Sequence, residues 1–121
     1  DPNYGSLGQC SNTTIPIQEL GPHVAPLGLK FYTGDMFPQE YRNQVFIPEH
    51  GSWNRSNKIG YRITKVTLDG DQSTSYETFA EGWLDEGKTL GRPVDLLIMK
   101  DGSMLVSDDH NGAIYRITYN D

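Results

Sequence analysis

The chain contains the same short run twice, and that repeat limits what it can fold into more than any other feature. Ile59-Gly60-Tyr61-Arg62-Ile63-Thr64 parallels Ala113-Ile114-Tyr115-Arg116-Ile117-Thr118. Each copy follows an apolar strand that ends in an acidic residue and a histidine, at Glu49-His50 and at Asp109-His110. Further upstream, Pro26-Leu27-Gly28-Leu29 parallels Pro93-Val94-Asp95-Leu96. Each unit therefore reads as strand, strand, loop, strand. Ser75–Ala80 adds a fourth strand to the first unit only. Repeated four-stranded antiparallel units are the pattern of β-propeller blades. Two blades cannot close a ring, and they leave open edges. The expected architecture is all-β: about two blades of a larger propeller, with a small open β-sandwich as the nearest alternative.

The strand reading rests on alternation and turn chemistry. Leu27–Thr33, Gln44–Pro48, Ile59–Leu68, the run from Gly91 to Met99, Ser103–Ser107 and Ala113–Tyr119 complete the set. Gln44–Pro48 is apolar throughout its middle, which predicts burial on both faces. Asp69-Gly70-Asp71 and Lys100-Asp101-Gly102 are turn signals. No amphipathic helix stands out, although one turn is expected near Pro38–Arg42. Residues 1–22 read as an irregular lead-in, 23–82 as the first blade, 81–90 as a linker holding Trp83, and 91–121 as a partial second blade. Ile15 and Ile17 flank Pro16, so any strand there is short or at an edge.

The two copies differ in one place. Eight residues separate His50 from Ile59, but three separate His110 from Ile114. A plain hairpin needs about two to five. The longer loop, Pro48–Lys58, gathers His50, Trp53, Asn54, Arg55 and Lys58. Insertions in one repeat map to a binding face.

Charge and cysteine content exclude some partners. The net charge of -6 and the absence of any Lys/Arg cluster disfavour nucleic acid. No run approaches the roughly 20 apolar residues of a membrane span. Cys10 is the only cysteine, so no internal disulfide or cysteine metal site forms, and it is either inert or paired outside the chain. Asn12-Thr13-Thr14 and Asn54-Arg55-Ser56 fit the N-glycosylation pattern, which recurs by chance. The chain starts Asp1-Pro2 rather than with Met, as expected of a processed chain or a fragment.

Three segments together resemble a known family. They are His23-Val24-Ala25-Pro26-Leu27-Gly28, the Pro48–Arg55 loop, and Gly91-Arg92-Pro93-Val94-Asp95 followed by Asp101-Gly102 and Val106-Ser107-Asp108-Asp109. They are similar to the soluble glucose/sorbosone dehydrogenase family, in its sorbosone dehydrogenase-like branch. The resemblance implies a six-bladed propeller, pyrroloquinoline quinone (PQQ) as cofactor and Ca²⁺ at the quinone. It also implies oxidation of a sugar hydroxyl or aldehyde, an electron acceptor such as a cytochrome or quinone, and a periplasmic or secreted location. The chain would then be a C-terminal segment whose partners are the remaining blades.

The resemblance places Arg92 at a cofactor-contacting position and Arg55, or alternatively Lys58, at the PQQ carboxylates. His23 falls in the segment lining the pocket. Planar cations suit a flat tricarboxylate, and the cofactor itself carries the hydride chemistry. Val94 stands where glucose-oxidising members carry a second Arg, which argues against glucose. The family's catalytic His and its calcium ligands belong to earlier blades, so no catalytic or metal residue is assigned here.

Each candidate also has a plain reading. Arg92 would pair with Asp95 or another carboxylate, and Arg55 and Lys58 would be solvated. His23 would cap a turn and His50 would end a strand. Trp53 either stacks on a ligand or packs under its loop. Trp83 reads as packing, His110 as structural, and Tyr61 and Tyr115 as blade packing. Asp95 is expected to bond backbone near Arg92. Asp108 and Asp109 read as turn caps, because the spacing lacks an EF-hand's closing Glu. A non-catalytic propeller that binds carbohydrate or protein keeps the fold without the chemistry. An accessory fragment pairing through its edges is a third reading.

Overall fold

The computed structural model describes residues 3, 5, 7, 8 and 12–120. Cys10 lies outside these residues, so the expectation for it stays with the sequence. The first sheet has the order β1 (Lys30–Phe31), β2 (Val45–Glu49), β3 (Arg62–Asp69), β4 (Gln72–Ala80), all antiparallel. A minimal hairpin follows, β5 (Leu84–Asp85) and β6 (Lys88–Thr89). The second sheet is β7 (Pro93–Ile98), β8 (Met104–Asp108), β9 (Ala113–Ile117), again antiparallel. The one helical element among the described residues is a 3-10 turn at Gln39–Tyr41. The described residues are thus all-β, with a four-stranded sheet, a three-stranded sheet and the two-stranded hairpin between them in sequence.

Every residue of β2 is buried, as its apolar run predicts. Pro48 is tolerated there because its missing N–H faces the side where β1 has already ended; only Leu27 reaches it, donating to the Pro48 carbonyl at 3.4 Å. The expected first strand, Leu27–Thr33, shrinks to Lys30–Phe31 plus an isolated bridge between Pro26 and Glu49. The linker is not featureless. Glu86 and Gly87 both take positive φ and close β5 onto β6 as a tight turn.

Residues paired across an antiparallel ladder share a face. On one face of the first sheet, Phe46 and Ile63 join Tyr32 and Phe37 and meet Leu96, Met104 and Val106 of the second sheet. The Tyr32 ring stacks on Phe37 at 4.6 Å, and Phe79 packs edge-on to Phe46 at 4.8 Å. The Tyr32 hydroxyl donates to the Gly102 carbonyl at 2.7 Å and accepts from Phe37 N–H, fixing one sheet to the other. The opposite face carries Val45, Ile47 and Val66, against which Leu20 and Leu68 pack.

The ladders correct the repeat. Glu49–Arg62 closes the first hairpin and Asp108–Ala113 closes the second. Arg62 is therefore the counterpart of Ala113, and Ile63 of Ile114. The sequence match, which sets Ile59 against Ala113, is out by three residues. An odd shift exchanges the two faces of a strand. Ile63 and Ile117 both face the interior between the sheets, but from opposite faces of their respective blades. The cause is local: Gly60 and Tyr61 have φ of +87° and +59°, so the longer loop consumes Ile59–Tyr61 before β3 begins.

Candidate functional site

The site lies where the β2–β3 connection meets the start of β7. Glu49–Gly51 runs beside His23–Pro26: His50 N–H donates to the Ala25 carbonyl at 3.0 Å and Gly51 N–H to Val24 at 2.8 Å. His23, Ala25 and Tyr61 all adopt left-handed backbone, at φ of 62°, 52° and 59°. Such residues each cost about 1–3 kcal/mol and persist only where surrounding bonds impose them. Here the imposing bonds are visible. Tyr61 N–H donates to the Glu49 carbonyl at 2.8 Å, its hydroxyl donates to the Ser52 carbonyl, and its ring fills the space that a side chain at Gly51 would need. Ser52 closes the loop, exchanging backbone contact with Ile59 and accepting Ile59 N–H on its hydroxyl at 3.0 Å.

Arg92 reaches into this frame from the second sheet. Its Nε donates to the His50 carbonyl at 3.1 Å and its Nη2 to the Gly51 carbonyl at 2.7 Å, with its guanidinium 5.5 Å from the Tyr61 ring centre. The expected pairing with Asp95 is replaced: Asp95 accepts from Leu96 N–H instead. Lys58 lies on Tyr61 as well, its Nζ 5.8 Å from the ring centre and bonded to Thr89 Oγ1 on β6 at 2.9 Å. His50 Nε2 pairs with Asp109 Oδ1 at 2.8 Å, joining the two loops. A hollow of about 390 Å³ adjoins Tyr61, lined by Lys58, Arg62, Glu81 and Leu84.

Arg92 and Lys58 are thus drawn together around Tyr61, while His50 meets Arg92 through its carbonyl and turns its ring to Asp109. Arg55 and Trp53 are not: they stand on the exposed tip, where Arg55 Nε donates to the Asn57 carbonyl at 3.1 Å. Trp53 is 84% exposed, so packing under the loop is ruled out. His23 is exposed on the adjoining segment. Trp83 does pack, edge-on to Tyr115 at 5.8 Å.

Two carboxylates that sequence reading had treated as routine, or passed over, brace the site from below. Asp108 is buried and accepts from the N–H groups of Arg92, His110 and Asn111 and from the Tyr115 hydroxyl. Burial opposes its charge, but those bonds outweigh it and lower its pKa below the ordinary 3.8. Glu49 is fully buried on the other sheet and binds Arg62 Nε at 2.9 Å, Thr64 and the Tyr76 hydroxyl. Burial and the Glu49 charge together raise the Tyr76 pKa; Arg62 is desolvated, yet Glu49 raises its pKa overall. Tyr61 was the residue most in need of recognition. Its signal was Gly60-Tyr61 at the end of an overlong loop. Among the described residues no group of three or more His, Cys, Asp or Glu is placed to hold a metal ion.

A family model described as TrAA12-like matches residues 6–120. The chain is 49% identical over 123 residues to an uncharacterized protein of Borreliella burgdorferi, covering 97% of this chain and 32% of that protein. It is 30% identical over 129 residues to a pyrroloquinoline quinone-dependent pyranose dehydrogenase of Coprinopsis cinerea, covering 88% of this chain and 17% of the relative. The chain therefore spans a third or less of the length of these relatives. It superimposes on the holo form of the C. cinerea pyranose dehydrogenase PQQ domain with a TM-score of 0.73 and 25% identity, covering 91% of this chain and 31% of that one. A Trichoderma reesei AA12 enzyme superimposes with a TM-score of 0.61 and 26% identity, covering 78% and 24%. These likenesses bear out the propeller-blade reading of the two sheets and the resemblance to PQQ-dependent sugar dehydrogenases drawn from the residues.

Proposed function

The chain belongs to the TrAA12-like family, and on that footing we propose that it forms one wall of the cofactor pocket in a PQQ-dependent sugar oxidoreductase. The observation that carries this reading is Arg92. Two of its N–H groups are held by the His50 and Gly51 carbonyls, so its planar head is fixed in orientation and its remaining N–H groups would serve a ligand's carboxylate. An arginine already neutralised by a buried acid would have little charge left to give. Here its partners are carbonyls.

The donor set fits a flat tricarboxylate. Arg92 would take one carboxylate in bidentate fashion and Lys58 would supply a second cation across the Tyr61 ring. His50, held by Asp109, and His23 would border the pocket, and Arg55 and Trp53 would stand at its rim. PQQ, when bound, accepts the hydride of a sugar hydroxyl or aldehyde. The residues of this chain hold, orient and neutralise. The base that takes the substrate proton and the ligands of Ca²⁺ would come from the remaining blades. A sorbosone-like substrate, with Val94 lining the pocket in place of a second arginine, an acceptor such as a cytochrome or quinone, and a periplasmic or secreted setting complete the proposal. Among the described residues no helix is long and apolar enough to cross a membrane.

The test is a titration with PQQ followed by its absorption and by quenching of the exposed Trp53. Saturable binding that weakens on the order of tenfold in Arg92→Ala is expected, equivalent to about 1.4 kcal/mol. Lys58→Ala should weaken it less. Binding unaffected by either change, in variants whose circular dichroism matches the parent, would overturn the assignment.

A further inference from the structure

The connection from β4 to β7 gives the hollow beside Tyr61 its second wall. The hollow, of about 390 Å³, is bounded by Lys58, Tyr61 and Arg62 on one side and by Glu81, Gly82 and Leu84 on the other. Its walls are tied together. Lys58 Nζ bonds to Thr89 Oγ1 at 2.9 Å, which joins the long loop to the β5–β6 hairpin. The base of that hairpin is closed by the Trp83 carbonyl, which accepts from Leu90 N–H at 2.9 Å and from Gly91 N–H at 3.2 Å. At Gly82 a Cβ would meet nothing within 4 Å, so that wall keeps open space in front of it.

The lining groups are chemically mixed. Arg62 commits Nε to Glu49 and Nη1 to Thr78, which leaves Nη2 without a protein partner. Lys58 gives one of its three N–H groups to Thr89. Glu81 is exposed, and its carboxylate makes no hydrogen bond or ion pair among the described residues. Two donor-only groups and one acceptor-only group thus border the same hollow with no ion pair joining them. Charges of both signs oppose a small ion of either sign, and charged walls oppose an apolar ligand. A neutral polyol satisfies both kinds of group, because each hydroxyl can donate to Glu81 or accept from Arg62 and Lys58. The volume falls within the range of about 300–1,000 Å³ typical of small-molecule sites.

We propose that this hollow is a sugar subsite, which holds the non-reacting unit of an oligosaccharide whose reacting unit lies at the cofactor wall. Tyr61 lines the hollow and also has the Arg92 guanidinium 5.5 Å from its ring centre, so the two regions share a residue. Glu81 accepts from the hydroxyls of the outer sugar unit, and Arg62 and Lys58 donate to them. The place of the hollow on the substrate's path rests on the cofactor reading; the sugar site itself does not.

The experiment is calorimetric titration of the whole protein with cellobiose and with glucose, with and without PQQ. Cellobiose should bind saturably to the PQQ-free protein and about tenfold more weakly to Glu81→Ala, a change at an exposed position that should not weaken PQQ binding. No saturable binding to the PQQ-free protein, or binding that Glu81→Ala leaves unchanged, would overturn the site. In the PQQ-loaded protein cellobiose should bind more tightly than glucose, because two sugar units are then held. Equal binding there would overturn the assignment as a substrate subsite. Cellobiose binding through Glu81 in a protein that takes up no PQQ would uphold the sugar site and overturn the cofactor reading alone.

Discussion

The connection from β2 to β3 uses residues 50–61, whereas the connection from β8 to β9 uses residues 109–112. Both begin after a buried acid and both enter the next strand through left-handed backbone. In the short turn the left-handed position is Gly112, with φ of +60°; in the long one it is Tyr61, with φ of +59°. The short turn is self-sufficient. Asp108 gathers its N–H groups, and nothing from the other sheet is needed. The long loop is held from outside, by Arg92 from the second sheet and by the Val24 and Ala25 carbonyls. Glu49, the counterpart of Asp108, turns away to Arg62 and Tyr76. One geometry thus gives a rigid turn in one blade and a surface of carbonyls, cations and an aromatic ring in the other. A tyrosine in a glycine's conformation marks the connection that neighbouring segments hold in place.

The sharpest way to break this comparison is to add one carbon to each connection. At Gly51, with φ of +99°, a Cβ would enter the Tyr61 ring. Gly51→Ala should cost about 3 kcal/mol, from overpacking plus backbone strain. At Gly112 a Cβ meets nothing within 4 Å, so Gly112→Ala should cost only the left-handed preference, about 1 kcal/mol. Urea unfolding measures both, and equal costs would mean that Tyr61 is not clamped as described.

Next in size is Asp108. Asp108→Ala leaves several partly buried donors unpaired and should cost about 2 kcal/mol. Its lowered pKa adds a pH signature. A carboxyl whose folded pKa is depressed contributes stability that is present above its unfolded pKa and is lost as pH falls through the folded value. Stability should therefore decline below about pH 4. Asp108→Asn should flatten that part of the curve, which thermal unfolding between pH 2 and pH 6 would reveal.

How much of this was legible in the sequence depended on whether the cause was local. Asp108 as a turn cap, Trp83 as packing and the burial of β2 all follow from neighbours in the chain, and all hold. The register did not, because the left-handed state of Tyr61 is imposed by Gly51, Ser52 and the Glu49 carbonyl rather than by its own preference. Tyr61 and Tyr115 look equivalent and are not. The partner of Arg92 was missed for the same reason: Asp95 is three residues away in the chain, but the His50 and Gly51 carbonyls are nearer in space. The small β5–β6 hairpin was hidden because Glu-Gly is a weaker turn signal than Asn-Gly.

Arg92→Lys refines the comparison by keeping the charge and losing the fork. An ammonium cannot hold both the His50 and Gly51 carbonyls in one plane, so the long loop should loosen while the short turn keeps its Asp108 cap. A cost of about 1 kcal/mol is expected. Amide exchange should quicken at residues 51–60 and stay unchanged at 110–112; acceleration at both would mean that the loops form one unit.

The smallest effect should come from the one side-chain pair joining the two connections, His50 with Asp109. Asp109 is exposed, so the pair is screened and should contribute about 0.5 kcal/mol at low salt. A double-mutant cycle with His50→Gln and Asp109→Asn isolates it. The coupling should shrink toward zero in about 1 M salt, where the Debye length is near 3 Å. The cost of Arg92→Lys should persist there, since it reflects bonds to carbonyls rather than attraction between ions. If the His50–Asp109 coupling instead survives salt and exceeds that of Arg92, the loops are joined by this pair. The short turn would then be part of the binding surface rather than a rigid neighbour to it.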